Sequence, residues 1–118
     1  MALKENFTSR RKIYEVVYFD VNFELGDYKF VWDADIAEKN FRKHGIYFED
    51  AVRVFLDENN LDDFDELHSD SEDRFKIIGK VREILVVIYT ERKDKTRIIS
   101  ARQADKREEN SYYEQFYW

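Results

Sequence analysis

The spacing of apolar and polar positions changes along this 118-residue chain, and each change predicts an element. Val21, Phe23 and Leu25 alternate with Asn22 and Glu24, the period of two that a half-buried strand requires. Gly26-Asp27 reads as a two-residue hairpin turn, because glycine takes a positive φ without steric cost, and Tyr28 to Trp32 is the returning strand. Asp33 can cap a helix by accepting N–H groups of its first turn and Gly45 can end it, which predicts a helix from Ala34 to His44. Phe48, Ala51, Val52, Phe55 and Leu56 recur at helical spacing and predict a second helix with that face inward. The stretch DENNLDDFDELHSDSED, residues 57 to 73, breaks both periods and is read as an acidic surface loop with room for one short turn.

Three strand-like runs follow, Arg74 to Val81, Ile84 to Glu91 and Lys95 to Arg102, separated by short charged turns, and their simplest arrangement is an antiparallel meander. Leu85 to Ile88 is continuously apolar, as in a central strand covered on both faces. Ala104, Glu108, Tyr112 and Phe116 share one side of a closing helix that runs to Tyr117. The expected fold is α+β: a meander sheet packed by two N-terminal helices and one C-terminal helix. Residues 1–27 form an N-terminal extension that adds a strand pairing with residues 28–32.

Composition narrows what such a domain does. Hydrophobic residues at 43% suffice for one core in a chain too short for two. The absence of cysteine excludes disulfides, thiolate nucleophiles and Cys-type zinc sites, and fits a reducing compartment. No apolar run is long enough to span a membrane, and the charged start MALKENFTSRRK lacks the apolar stretch of a signal peptide, so the expected location is cytoplasmic. The net charge of -6 is unevenly spread. Residues 1–73 hold 9 Lys and Arg against 19 Asp and Glu, whereas residues 74–118 hold 11 against 7. The half that begins at Arg74 therefore offers the surface for an anionic partner.

Candidate chemistry is sparse. The acidic stretch lacks the spacing and central glycine of an EF-hand, so it is read as solvated surface and no metal or other cofactor is assigned. His68 with Glu72 or Asp73 can form a proton-transfer pair, or be an exposed histidine of a polar loop. Ser69 and Ser100 lie in no nucleophile elbow, and there is no glycine-rich phosphate loop. Arg92, Lys93, Lys95, Arg97, Arg102, Lys106 and Arg107, with Tyr89 nearby, supply guanidinium groups for phosphate and a ring for base stacking. The same charges also suit a sheet edge guarded against strand addition.

Several ordered strings carry more. Phe30-Val31-Trp32-Asp33, Asn40-Phe41-Arg42-Lys43-His44-Gly45-Ile46 and Phe48-Glu49-Asp50-Ala51 resemble the opening blocks of the BrnT toxin family. His68-Ser69, Arg74-Phe75, Gly79, Tyr89-Thr90-Glu91-Arg92, Arg97 to Arg102, Ala104, Glu108 and Tyr112 resemble its later blocks, so the likeness spans Tyr28 to Glu114 and points to a toxin domain at residues 28–118. The resemblance implies a RelE-like fold in the toxin of a bacterial type II toxin-antitoxin pair. It implies metal-independent RNA cleavage that inhibits translation, and a BrnA-like antitoxin that binds operator DNA, which the toxin meets only through it. On that footing His68, Arg74, Glu91 and Arg97 are the catalytic candidates: His68 first and Glu91 second for proton transfer, with the arginines for charge stabilisation. Lys43, His44, Tyr89, Arg92 and Arg102 are the RNA-binding candidates, although Lys43 and His44 also fit cations placed at a helix C-terminus. Ile36 stands where the family usually has Lys and the first half is acidic, so a second reading is a member that only binds its antitoxin. A third makes the acidic segment a mimic of nucleic-acid charge.

Overall fold

A computed structural model of the chain describes residues 3–6, 13–16 and 19–117. The parts of the N-terminal extension at residues 1–2, 7–12 and 17–18 lie outside the described residues. Strands β1 (Leu3–Asn6) and β2 (Ile13–Val16) pair antiparallel as a two-stranded sheet. The main sheet has six strands: β3 (Asp20–Leu25), β4 (Tyr28–Asp33), β5 (Leu61–Phe64), β6 (Phe75–Lys80), β7 (Ile84–Arg92) and β8 (Lys95–Gln103). Their order is β3-β4-β8-β7-β6-β5.

Local signals act as their chemistry dictates. Gly26 takes φ 61° between β3 and β4. Asp33 Oδ1 accepts from the backbone N–H groups of Asp35 and Ile36 at 2.8 and 3.0 Å, starting α1 (Ala34–His44), and Gly45 at φ 71° ends it. Asp105 and Glu108 form a reciprocal capping box that starts α3 (Lys106–Glu114), and a 3-10 turn continues it to Tyr117.

Three expectations need correction. The sheet is mixed, because β5 to β8 form the antiparallel meander but β8 runs parallel to β4. Helices carry the chain from β4 to the far edge, and three reversals bring β8 back in β4's direction. The acidic stretch is not all loop, since β5 pairs with β6 as an edge strand and a 3-10 helix covers Glu66–His68. The second helix is α only over α2 (Phe48–Ala51) and tightens to a 3-10 helix at Val52–Leu56. At three residues per turn Val54 turns inward while Leu56 is left exposed.

The main core lies between one sheet face and this helical layer. Trp32 meets Phe48 edge-on at 5.5 Å and Phe23 at 5.7 Å, while Phe55 contacts Phe30 and Tyr89, each at 5.1 Å. Gly79 lets the 3-10 helix sit directly on β6, because a Cβ there would lie 2.8 Å from Val54 Cβ. A smaller cluster on the opposite face packs Ile78, Ile84, Val86 and Ile88 beneath Tyr112 of α3.

Candidate functional site

Alternation along β6 and β7, and along β8 on either side of a bulge at Ile99, sends Lys76, Thr90, Arg92, Arg97, Ser100 and Arg102 to the face that α3 covers only in part. The side chains of Lys76 and Arg102 keep 33% and 36% of their exposure, so this floor is open to a ligand. Each of its cations is held by a carboxylate. Glu108, nearly buried, accepts from both terminal nitrogens of Arg102 at 2.8 Å, from Lys76 Nζ at 2.6 Å and from the backbone of Asp105 at 2.9 Å. The hydrogen bonds from Arg102, then those from Lys76 and Asp105, outweigh burial and hold its carboxyl far below the usual carboxylate range. Arg102 is pushed up in return. Glu72 binds Arg92 at 2.9 Å and Arg74 at 3.5 Å, and Asp20 binds Arg97 at 3.1 Å. Arg74 Nε is buried with no hydrogen-bond partner among the described residues.

At one side of this floor His68 Nδ1 lies 2.7 Å from Asp65 Oδ2. The histidine is 58% exposed and the aspartate only 8%. Asp65 is fixed from several directions: its N–H donates to Arg74 O at 2.8 Å, and Ser69 Oγ donates to its carbonyl at 2.6 Å while accepting from Arg74 N. Its negative charge also reaches Arg102, so the pair and the cationic floor share one field. A carboxylate on Nδ1 orients the ring and leaves Nε2 as the acceptor of a proton. The arrangement suits proton transfer from a hydroxyl beside a phosphate bound by guanidinium groups.

Residues 32–108, which include all of this apparatus except Asp20, match the family model described as the ribonuclease toxin BrnT of type II toxin-antitoxin systems. The chain belongs to the BrnT family. Membership makes ribonuclease toxin the activity of its family and implies an antitoxin partner. A crystal structure of the Brucella abortus ribonuclease toxin BrnT is similar to the chain at 26% identity, with a TM-score of 0.49, over 64% of this chain and 94% of that one. No curated protein matches the chain. Among the described residues no helix is long and apolar enough to cross a membrane, and no three His, Asp or Glu side chains are grouped to hold a metal ion.

Within this BrnT-type domain the residues singled out from sequence separate. His68, Arg74, Arg92, Arg97 and Arg102 gather around the open floor. The carboxylate partner of His68 is Asp65, three residues back on the same 3-10 turn, in place of Glu72 or Asp73; Glu72 is occupied by Arg74 and Arg92. Glu91 points to the opposite face, where Thr96 Oγ1 donates to it at 3.4 Å, so it does not converge with His68. Tyr89 is 5% exposed, stacked on Phe75 at 5.4 Å, and its hydroxyl donates to Asp62 at 2.8 Å. Burial, then Asp62, pushes its phenol up, and no ring face is free to stack on a base. Lys43 is exposed in the last turn of α1, while burial, then Lys43 and Arg102, pushes His44 down and favours its neutral form.

Sequence reasoning missed Asp65, Lys76 and Asp20, and saw Glu108 only as a helix-face residue and a position of the family blocks, not as a partner of the cations. Alternation from Arg74 places Lys76 on the same face, and the three-residue spacing from Asp65 to His68 fits one helical turn. Nothing local indicates Asp20.

Proposed function

We propose that this chain is a RelE-like ribonuclease toxin that cleaves RNA without a metal ion and so inhibits translation. The observation that carries the reading is the His68–Asp65 pair, 2.7 Å apart and beside a cationic floor, in a member of a ribonuclease toxin family. His68 Nε2 takes the proton of a ribose 2′-hydroxyl, whose oxygen attacks the adjacent phosphorus. The bond to the 5′-oxygen breaks, and that oxygen takes a proton from solvent. Arg74, Arg97 and Arg102 donate to the charged phosphorane, with Lys76 adding its charge. Lys43, His44 and Arg92 flank the path of the RNA strand. The toxin domain occupies residues 28–118, with residues 1–27 as an addition. A BrnA-like antitoxin binds the chain and carries it to operator DNA in the cytoplasm, and the acidic 57–73 segment favours a basic partner.

The purified protein and its His68→Ala and Asp65→Asn variants test this on single-stranded RNA. His68→Ala is expected to slow cleavage by about 100-fold or more. Asp65→Asn should cost less, since it removes the carboxylate charge that orients the His68 ring but keeps a polar group beside Nδ1. Unimpaired cleavage by His68→Ala removes His68 from the chemistry. A second reading, a member that only binds its antitoxin, is favoured by the carboxylate on every cation of the floor. It prevails if folded wild-type protein leaves RNA intact and its expression alone leaves growth unchanged.

A further inference from the structure

We propose that Asp20 is an electrostatic mask on the RNA face, holding Arg97 until a phosphate displaces it. The inference rests on the ribonuclease reading of that face and assigns a role to β3, which lies outside the family-matched residues 32–108.

The register explains the contact. Asn22 stands opposite Val31, Val31 opposite Arg97, and Asp20 opposite Asp33. The Arg97 side chain therefore crosses β4 to reach Asp20 Oδ1 at 3.1 Å, and Lys95 Nζ reaches Asn22 Oδ1 at 2.7 Å in the same direction. Alternation makes the placement firm. Val21, Phe23 and Leu25 pack on the main core, which anchors β3 and turns Asp20 and Asn22 onto the opposite face. Two polar groups of one added strand thus cap two cations of β8.

The three carboxylates of the floor are not equivalent. Glu108 is nearly buried and also caps α3, and Glu72 is shared between two arginines. The Asp20 side chain is 51% exposed against 21% for Arg97, so water and salt weaken the pair and a phosphate can replace it. Each RNA that engages Arg97 must first release Asp20.

The test measures binding of a 2′-O-methylated RNA oligonucleotide, which cannot undergo 2′-hydroxyl attack, to wild-type, Asp20→Asn, Arg97→Ala and the double variant over a salt series. Cleavage of unmodified RNA is followed in parallel, and circular dichroism confirms folding. Asp20→Asn should tighten binding about threefold at low salt, the fold-change equivalent of an exposed ion pair. The gain should shrink as salt rises, because screening already loosens the exposed Asp20–Arg97 pair in wild type. The gain should vanish when Arg97 is also removed. Equal or weaker binding by folded Asp20→Asn, or a gain that survives Arg97→Ala, overturns the mask. Tightening through Arg97 without cleavage by either protein leaves the mask standing and removes the ribonuclease reading; cleavage with unchanged affinity does the reverse.

Discussion

Replacing Asn40 tests how the sheet edge that carries the site is held. β8 pairs with β4 only at Phe30–Thr96 and Val31–Arg97, so at Ala101 its edge has no strand beside it. Asn40 of α1 takes that place: its amide donates to Ala101 O at 2.9 Å and to Ile46 O at 3.3 Å, and its oxygen accepts from Ala101 N at 3.1 Å. Ala101 is fully buried and Asn40 is 8% exposed, so water does not substitute. Asn40→Ala leaves a buried N–H and a buried C=O of Ala101 unpaired, at about 1–3 kcal/mol each. An expected loss of about 3 kcal/mol is a large part of a typical domain's 5–15 kcal/mol, and corresponds to roughly 10 °C in Tm for a chain of this size. Asn40→Asp keeps the acceptor but sets a carboxylate oxygen against two carbonyls, which raises its folded pKa. Its destabilisation should be full at neutral pH and relieved as pH falls through that raised value. Urea denaturation followed by circular dichroism measures both variants. A loss of less than about 1 kcal/mol in Asn40→Ala refutes the bridging role. Ser100 and Arg102 flank Ala101, so RNA binding should weaken along with stability.

Gly79→Ala should destabilise the fold by about 1–2 kcal/mol, because the new Cβ meets the Cβ and backbone of Val54 and β6 and the 3-10 helix must separate. An unchanged midpoint in urea would show that this contact is slack. Glu108→Gln should cost about 2 kcal/mol at pH 7, through weaker bonds to Arg102 and Lys76. Because the folded pKa of Glu108 lies below its ordinary 4.5, that stability is present above pH 4.5 and is lost as pH falls below it. The gap between wild-type and variant should therefore narrow in acid, and a gap independent of pH counts against the ion cluster.

The elements with local causes were legible from the sequence. The β3–β4 hairpin, α1 with its two caps, β6 to β8 and the closing helix all follow from side-chain period and from residues that favour one backbone conformation. The BrnT blocks were also visible as ordered strings. What stayed hidden depends on partners distant in sequence. β5 leaves little apolar period, because as an edge strand it exposes Asp62, Asp63 and Phe64. The direction of β4 beside β8 is set by where the helices deliver the chain, which no single strand records. The register shift at Ile88/Tyr89 leaves Ile99 of β8 without a partner, which brings Arg97 to the same face as Arg102 although strict alternation would set them on opposite faces. The cationic stretch was plain as composition, but its pairing with Glu72, Glu108 and Asp20 is a property of the folded sheet. Charge is carried by each residue alone; whether that charge is free, shared or masked depends on which strands lie side by side.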